Sequence, residues 1–234
     1  MYRPKFVSVC ALILVLSPAA LTQEGGAVFD RSKVPAEGKA VEDFVPAGWV
    51  LEEQVAGDLN GDALPDLALK LIQERPPGAK DDEIIERQRA LVVLFRGQDG
   101  RLRRAGVTDR VLQCTSCGGA FHGVNEAPAE VKIERGVLII KQDFGSREVT
   151  EHTYRFRHEP AAGRLVLIGF DSTTRDRLTG AVTRESTNYL TGRKITTTTT
   201  PPKTPRGKDA VKTTTQTVAR KRTPMEEVDG ESYY

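Results

Sequence analysis

The densest cluster of groups able to do chemistry is Gly57-Asp58-Leu59-Asn60-Gly61-Asp62-Ala63-Leu64-Pro65-Asp66-Leu67. Oxygen-bearing side chains fall at loop positions one, three, five and nine, as Asp58, Asn60, Asp62 and Asp66, and Leu64 at position seven offers its backbone carbonyl. Calcium is a hard cation that takes six to eight oxygen ligands, and alternate residues of a tight turn can aim at one ion. Three carboxylates confined to one turn repel one another, and a bound divalent cation removes that repulsion while fixing the turn. The expected cofactor is therefore calcium, in a structural role, because no nucleophile or base flanks the loop. The alternative is a polar Asp/Asn/Gly turn without an ion, a common device in its own right.

Cys114-Thr115-Ser116-Cys117-Gly118-Gly119 allows three readings. A thioredoxin-like redox pair needs a helix starting at the first cysteine, which the two glycines disfavour. A zinc site needs four ligands, and His122 supplies at most a third, since His152 and His158 fall in an expected strand. The favoured reading is a small structural disulfide loop between Cys114 and Cys117. No Gly-x-Ser-x-Gly elbow, HExxH helix or phosphate-binding glycine loop occurs. Asp58, Asp62 and Asp66 lie too close in one turn to flank a glycosidic bond from both sides. No catalytic residue is assigned.

The acidic loop matches the opening D-x-[DN]-x-[DN] of an EF-hand but carries Leu69 where the twelfth-position Glu would stand, and apolar segments rather than amphipathic helices flank it. It resembles the aspartate-rich loop D-x-[DN]-x-D-G-x-x-D of FG-GAP and VCBS-type repeats. That resemblance implies a calcium-binding β-hairpin, of the kind used in a propeller blade, over about a dozen residues. Ala63 replaces the Gly that the pattern places at position six, where a positive φ is needed. The wider sequence is similar to a group of secreted bacterial proteins of unknown function. The shared features are Trp49 before the acidic turn, the Cys114–Gly119 segment, the Gly145-Ser146 turn, Arg155-Phe156, and Asn188-Tyr189-Leu190-Thr191-Gly192.

The elements that must position these residues read as strands. Trp49-Val50-Leu51 enters the acidic turn and Leu67–Ile72 leaves it. Ala90–Phe95 is a continuous apolar run of strand length, which fits a strand buried on both faces. Leu102–Val107 returns antiparallel after a Gly-Gln-Asp-Gly turn. Val131–Ile133, Val137–Ile140, Thr153–Arg157 and Leu165–Phe170 continue the pattern, joined by turns at Arg135-Gly136, Gly145-Ser146 and Pro160–Gly163. Val131 and Ile133 share one face and Lys132 takes the other. Before Trp49, Pro35–Phe44 reads as a short helix with Val41, Phe44 and Val45 on one side, ended at Gly48. Glu74–Glu86, rich in Pro and charge, reads as an exposed loop. The fold expected is mainly β, an antiparallel meander, sandwich-like or propeller-blade-like sheet with a short N-terminal helix.

A basic start (Arg3, Lys5), an apolar run from Phe6 to Leu16 and a small-residue exit at Ser17–Thr22 describe a secretory signal peptide; the run is too short to span a membrane. The domain reading is a signal peptide over 1–22, a loose N-terminal arm over 23–35, a β-rich domain over 36–195 and a Thr-rich hairpin or tail over 196–234. Within the tail, Met225–Tyr234 reads as acidic and frayed. Thr196–Thr200 and Thr213–Thr215 suit either a disordered tail or two strands joined by a Pro201–Asp209 loop, and the hairpin is preferred.

A net charge of +2 over 234 residues gives no global field calling for nucleic acid, and no later segment is long and apolar enough to cross a membrane. Arg101, Arg103 and Arg104, and again Arg220, Lys221 and Arg222, read as solvated patches. The expectation is an exported non-catalytic protein, periplasmic or extracellular, with a structural calcium loop and an unknown protein or envelope component as partner. The alternative is a secreted enzyme or enzyme inhibitor whose site is assembled from residues distant in sequence.

Overall fold

The computed structural model describes residues 28–230 apart from 81, 82, 84, 124 and 205. The expected signal peptide over 1–22 lies outside the described residues. The chain is mainly antiparallel β, in two open sheets. The strands are β1 (Glu37–Gly38), β2 (Trp49–Gly57), β3 (Asp66–Gln73), β4 (Arg89–Arg96), β5 (Leu102–Thr108), β6 (Ala129–Glu134), β7 (Val137–Gly145), β8 (Glu148–Glu159), β9 (Arg164–Asp176), β10 (Val182–Asn188), β11 (Arg193–Thr200) and β12 (Ala210–Thr217). The first sheet has the order β1-β5-β4-β3-β2 and the second the order β12-β11-β10-β9-β8-β7-β6.

The continuous apolar text of β3 and β4 follows from cover on both faces. Leu67, Leu69 and Leu71 with Ala90, Val92 and Leu94 turn toward Phe29, Val34, Phe44 and Trp49 of the N-terminal segment. Ala68, Leu91 and Val93 turn the other way, into a core shared with Val131, Leu138, Ile140, Tyr154, Phe156 and Leu167 of the second sheet. Period-two alternation puts successive side chains on opposite faces, so a strand covered on both sides is apolar on both, except where a buried polar group such as Asp66, Lys70 or Arg89 has its own partners. In β6 only one face is covered: Ala129 and Val131 are buried while Glu130 and Lys132 are exposed.

Three expectations are corrected. Pro35–Phe44 is not a helix: it holds the two-residue β1, paired with β5 through Glu37 and Gly38, and one 3₁₀ turn at Val41–Phe44. The Asp43 carboxylate draws the Lys39 and Ala40 amides onto itself at 2.8 and 3.1 Å, and Pro46 steers Val45 away from helical geometry. Residues 28–35, expected as part of a loose arm, are anchored instead. Phe29 and Val34 are buried, and the Arg31 guanidinium grips Asp109 with its Nε at 2.7 Å. The acidic C-terminus is also held, at least to residue 230: Met225 and Val228 are buried in the shared core, and the Gly230 amide donates to the Arg110 carbonyl at 2.7 Å.

The two Thr-rich arms pair antiparallel as β11 and β12, with Thr197 opposite Thr213 and Thr199 opposite Val211. Together with β10 they form a wing that carries the second sheet beyond the shared core. All eight residues of β12 are exposed, and its far edge is unpaired among the described residues. β-branched threonine suits a pleated surface without needing burial, which is how this wing forms with so little apolar content.

Candidate functional site

The acidic loop joins β2 to β3, and its side chains are organised by the loop's own amides. Asp58 accepts from Gly61 N–H through Oδ1 at 2.7 Å and from Ala63 N–H through Oδ2 at 3.0 Å. Asn60 Oδ1 accepts from Asp62 N–H at 2.9 Å, and Asp62 Oδ1 accepts from Leu64 N–H at 2.8 Å. These bonds to the ionised carboxylate hold the Asp58 pKa below its ordinary value, the Gly61 amide contributing most. Ala63 sits at φ 67°, in the left-handed region that the residue pattern reserves for Gly.

Asp66 does something different. It is fully buried, and its two oxygens take the Leu59 and Arg96 amides at 2.9 and 3.0 Å, so that it staples the loop to the end of β4. Burial raises its pKa, and the nearby Asp62 charge adds to the rise. The donor set of Asp58, Asn60, Asp62 and the Leu64 carbonyl is all oxygen, which fits a hard cation. Among the described residues, however, no three His, Cys, Asp or Glu side chains converge as a group able to hold a metal ion. The loop therefore brings Asp58, Asn60 and Asp62 into one hydrogen-bonded turn and commits Asp66 to an internal brace.

Cys114 and Cys117 form a disulfide, with Cys114 buried and Cys117 exposed. Between them Thr115 is fully buried and acts as a clasp: its hydroxyl donates to the Ile85 carbonyl at 2.7 Å and accepts from the Arg87 amide at 3.0 Å. The Thr115 carbonyl accepts from Ala127 N–H at 2.7 Å. Gly119 is required by close approach as well as by its φ of 67°, since a Cβ there would lie 2.6 Å from the Gly145 carbonyl oxygen. His122 Nε2 meets Asp143 Oδ1 at 2.9 Å beside this loop, but both neighbouring sulfurs are bonded to each other, so no thiol is offered to that pair. His152 is buried among the rings of Phe144, Tyr154 and Phe170, and desolvation lowers its pKa to about 4. His158 stacks edge-on against Phe95.

Two ion pairs centred on buried cations have no motif in the sequence to mark them. Arg89, 3% exposed, takes Glu52 through Nε and Nη2 and the Gln113 and Ala127 carbonyls through Nη1 at 3.1 and 2.9 Å. Lys70 takes Glu53 at 2.7 Å and the Ala129 carbonyl at 2.9 Å. A β-bulge between Leu51 and Glu53 places the two adjacent glutamates within reach of both cations. The only trace in the sequence is Lys70 within the apolar run Leu67–Ile72 and Arg89 at the head of the apolar run Ala90–Phe95. These groups tie β2, β3 and β4 to the 109–128 connection and the start of β6; saturated by backbone carbonyls and carboxylates, they serve cohesion.

The wing is the other feature with chemical character. Between residues 177 and 222 stand eleven Lys and Arg against two Asp and Glu, or +9; the whole chain has 34 and 32, which leaves 23 and 30, or −7, elsewhere. Apart from Lys194 with Glu185 and Arg222 with Glu159, no cation of that segment has a carboxylate within ion-pair reach among the described residues. No protein family, curated protein or solved structure matches this chain.

Proposed function

We propose that this chain is an exported, non-catalytic binding protein, in which a β-sandwich-like body presents the β10–β12 wing to a partner in the cell envelope or outside it. The wing carries the reading. Twenty-three strand residues lie largely outside the core, with β12 exposed along its whole length. An ordered surface of that size that contributes little to the core has its use in contact with something else, and an open edge is a template for another chain or ligand. Export is supported by the leader-like N-terminus and by a bonded cysteine pair, which suits an oxidising compartment. On this reading the Asp58–Asp66 loop resembles those of FG-GAP and VCBS-type repeats. Asp58, Asn60, Asp62 and the Leu64 carbonyl hold structural calcium, and Asp66 positions the loop against β4. Calcium would supply charge neutralisation there, bracing the β2–β3 hairpin.

Fractionation tests export. The full chain expressed in a bacterium is expected outside the cytoplasm and shortened by roughly 20 residues. A Leu12→Arg, Leu14→Arg variant is expected to stay inside at full length. Full-length wild-type protein confined to the cytoplasm would refute export. A photo-crosslinker at Thr214 is expected to capture a discrete envelope partner that the same group at Glu130, on the body, does not; equal capture from both positions would remove the wing from the proposal.

A further inference from the structure

We infer that the wing binds a polyanionic glycan, a polysaccharide bearing carboxylate, sulfate or phosphate groups, along its outer face. This deepens the proposed function and rests on its export reading only for the source of the glycan. Charge segregation is the first ground: +9 on residues 177–222 against −7 on the rest of the chain. Such a division draws polyanions to one part of the molecule and repels them from the other, which fixes orientation as well as attraction.

The register supplies the second ground. Cross-strand partners share a face, so the rows Thr173–Arg184–Thr197–Thr213 and Gly169–Asn188–Arg193–Thr217 lie on the same side of the sheet. Arg175, opposite Val182, occupies that side too, diagonal to Arg184. The opposite face carries the row Tyr154–Phe170–Thr187–Lys194, which begins in the core. The outer face is thus a diagonal of exposed guanidinium groups set among threonine hydroxyls, and the one carboxylate between the two rows, Asp171, is neutralised by Arg155 at 2.6 Å. Diagonal neighbours on one face stand about 7–8 Å apart, and Arg184 and Arg193, separated by four residues' travel and one strand, about 14 Å. Guanidinium forks pair bidentately with carboxylate, sulfate and phosphate, and hydroxyls exchange hydrogen bonds with sugar hydroxyls.

Composition separates this partner from two others. The only aromatic residue from 171 to 230 is Tyr189, which packs against the core, so the wing has no platform on which bases could stack. Leu178 and Val211 are the wing's large exposed apolar side chains, and interfacial anchoring in a membrane calls for aromatic and apolar groups together.

The test is binding of the purified full chain to polygalacturonate, measured by calorimetry at 50 and 300 mM salt, with neutral dextran, duplex DNA and anionic phospholipid vesicles as comparisons. Expected are binding to polygalacturonate that weakens at least tenfold at the higher salt, none to dextran, and weaker binding to DNA and vesicles. Arg184→Gln with Arg193→Gln is expected to cut polygalacturonate affinity at least fivefold, while Arg101→Gln on the body leaves it unchanged; both should melt as wild type does. No binding at 50 mM salt, equal loss from the body variant, or tighter binding to DNA or vesicles would overturn the inference. Binding by a chain that fractionation finds in the cytoplasm would overturn the export reading and leave this one standing.

Discussion

Replacing Ala63 by glycine should stabilise the protein, the reverse of what that substitution does at an ordinary position. Ala63 holds φ at 67°, where its Cβ crowds the following carbonyl; the left-handed conformation costs a non-glycine residue about 1–2 kcal/mol. Glycine removes that strain but gains freedom in the unfolded chain, which costs about 0.5–1 kcal/mol. The difference favours Ala63→Gly by about 0.5–1 kcal/mol. For a domain of this size that raises Tm by roughly 1–4 °C. Ala56, exposed in β2, is the matched control; there Ala→Gly should lower stability by about 0.5–1 kcal/mol. Urea titration of the three proteins, with the m-value unchanged, reads both signs in one experiment. If Ala63→Gly and Ala56→Gly lose stability alike, the acidic turn is not strained and the loop geometry is wrong.

Arg89→Met should be the most damaging single change in the sheets, at about 3–5 kcal/mol, because it strands Glu52 and two carbonyls; chemical denaturation measures it, and a loss under 1 kcal/mol would contradict the pairing. Asp66→Asn puts an NH₂ against either the Leu59 or the Arg96 amide and should cost about 1–3 kcal/mol. Lowering the pH should destabilise the protein through His152. Its folded pKa of about 4 lies below the unfolded value of 6.5, so the stability it contributes is present above 6.5 and is lost as pH falls toward 4, by at most about 3 kcal/mol. Asp66 acts in the opposite direction, since its raised pKa favours the folded state as pH falls. Melts between pH 7 and 4 on wild type and His152→Asn should differ by that slope, and parallel curves would exclude His152 as its source. Calcium at millimolar concentration should raise the Tm of wild type but not of Asp58→Asn with Asp62→Asn, and an unmoved wild-type melt would remove calcium from the loop.

Strand identity was readable where one cause dominated. The unbroken Ala90–Phe95 run announced a strand covered on both sides, and the alternation at Val131–Ile133 announced one covered on a single side. The region before Trp49 reads as helix because Val41, Phe44 and Val45 have helical spacing. One tight turn packs them instead, burying Phe44 and half-burying Val41 and Val45, with the Asp43 carboxylate competing for the amides a helix would use. The cover given by Phe29 and Val34, and the return of Met225 and Val228 to the core, are contacts between chain ends. No local pattern encodes such contacts; an isolated apolar residue in polar text is their only trace. In the acidic loop, the positive φ at position six was legible from the residue pattern. The inward turn of Asp66 was not, because it depends on Arg96, thirty residues away. The carboxylate partners of buried Lys70 and Arg89 depend in the same way on a bulge that the sequence of β2 does not mark.

On the proposed function the wing, and not the body, meets the partner. Amide hydrogen exchange of the purified chain, alone and with a cell-envelope fraction, tests it most directly. The β12 amides facing the open edge are expected to exchange rapidly in the free protein, and the amides of β10–β12 to gain protection with the envelope fraction while those of β3 and β4 stay unchanged. Protection confined to the body, or none anywhere, would contradict it.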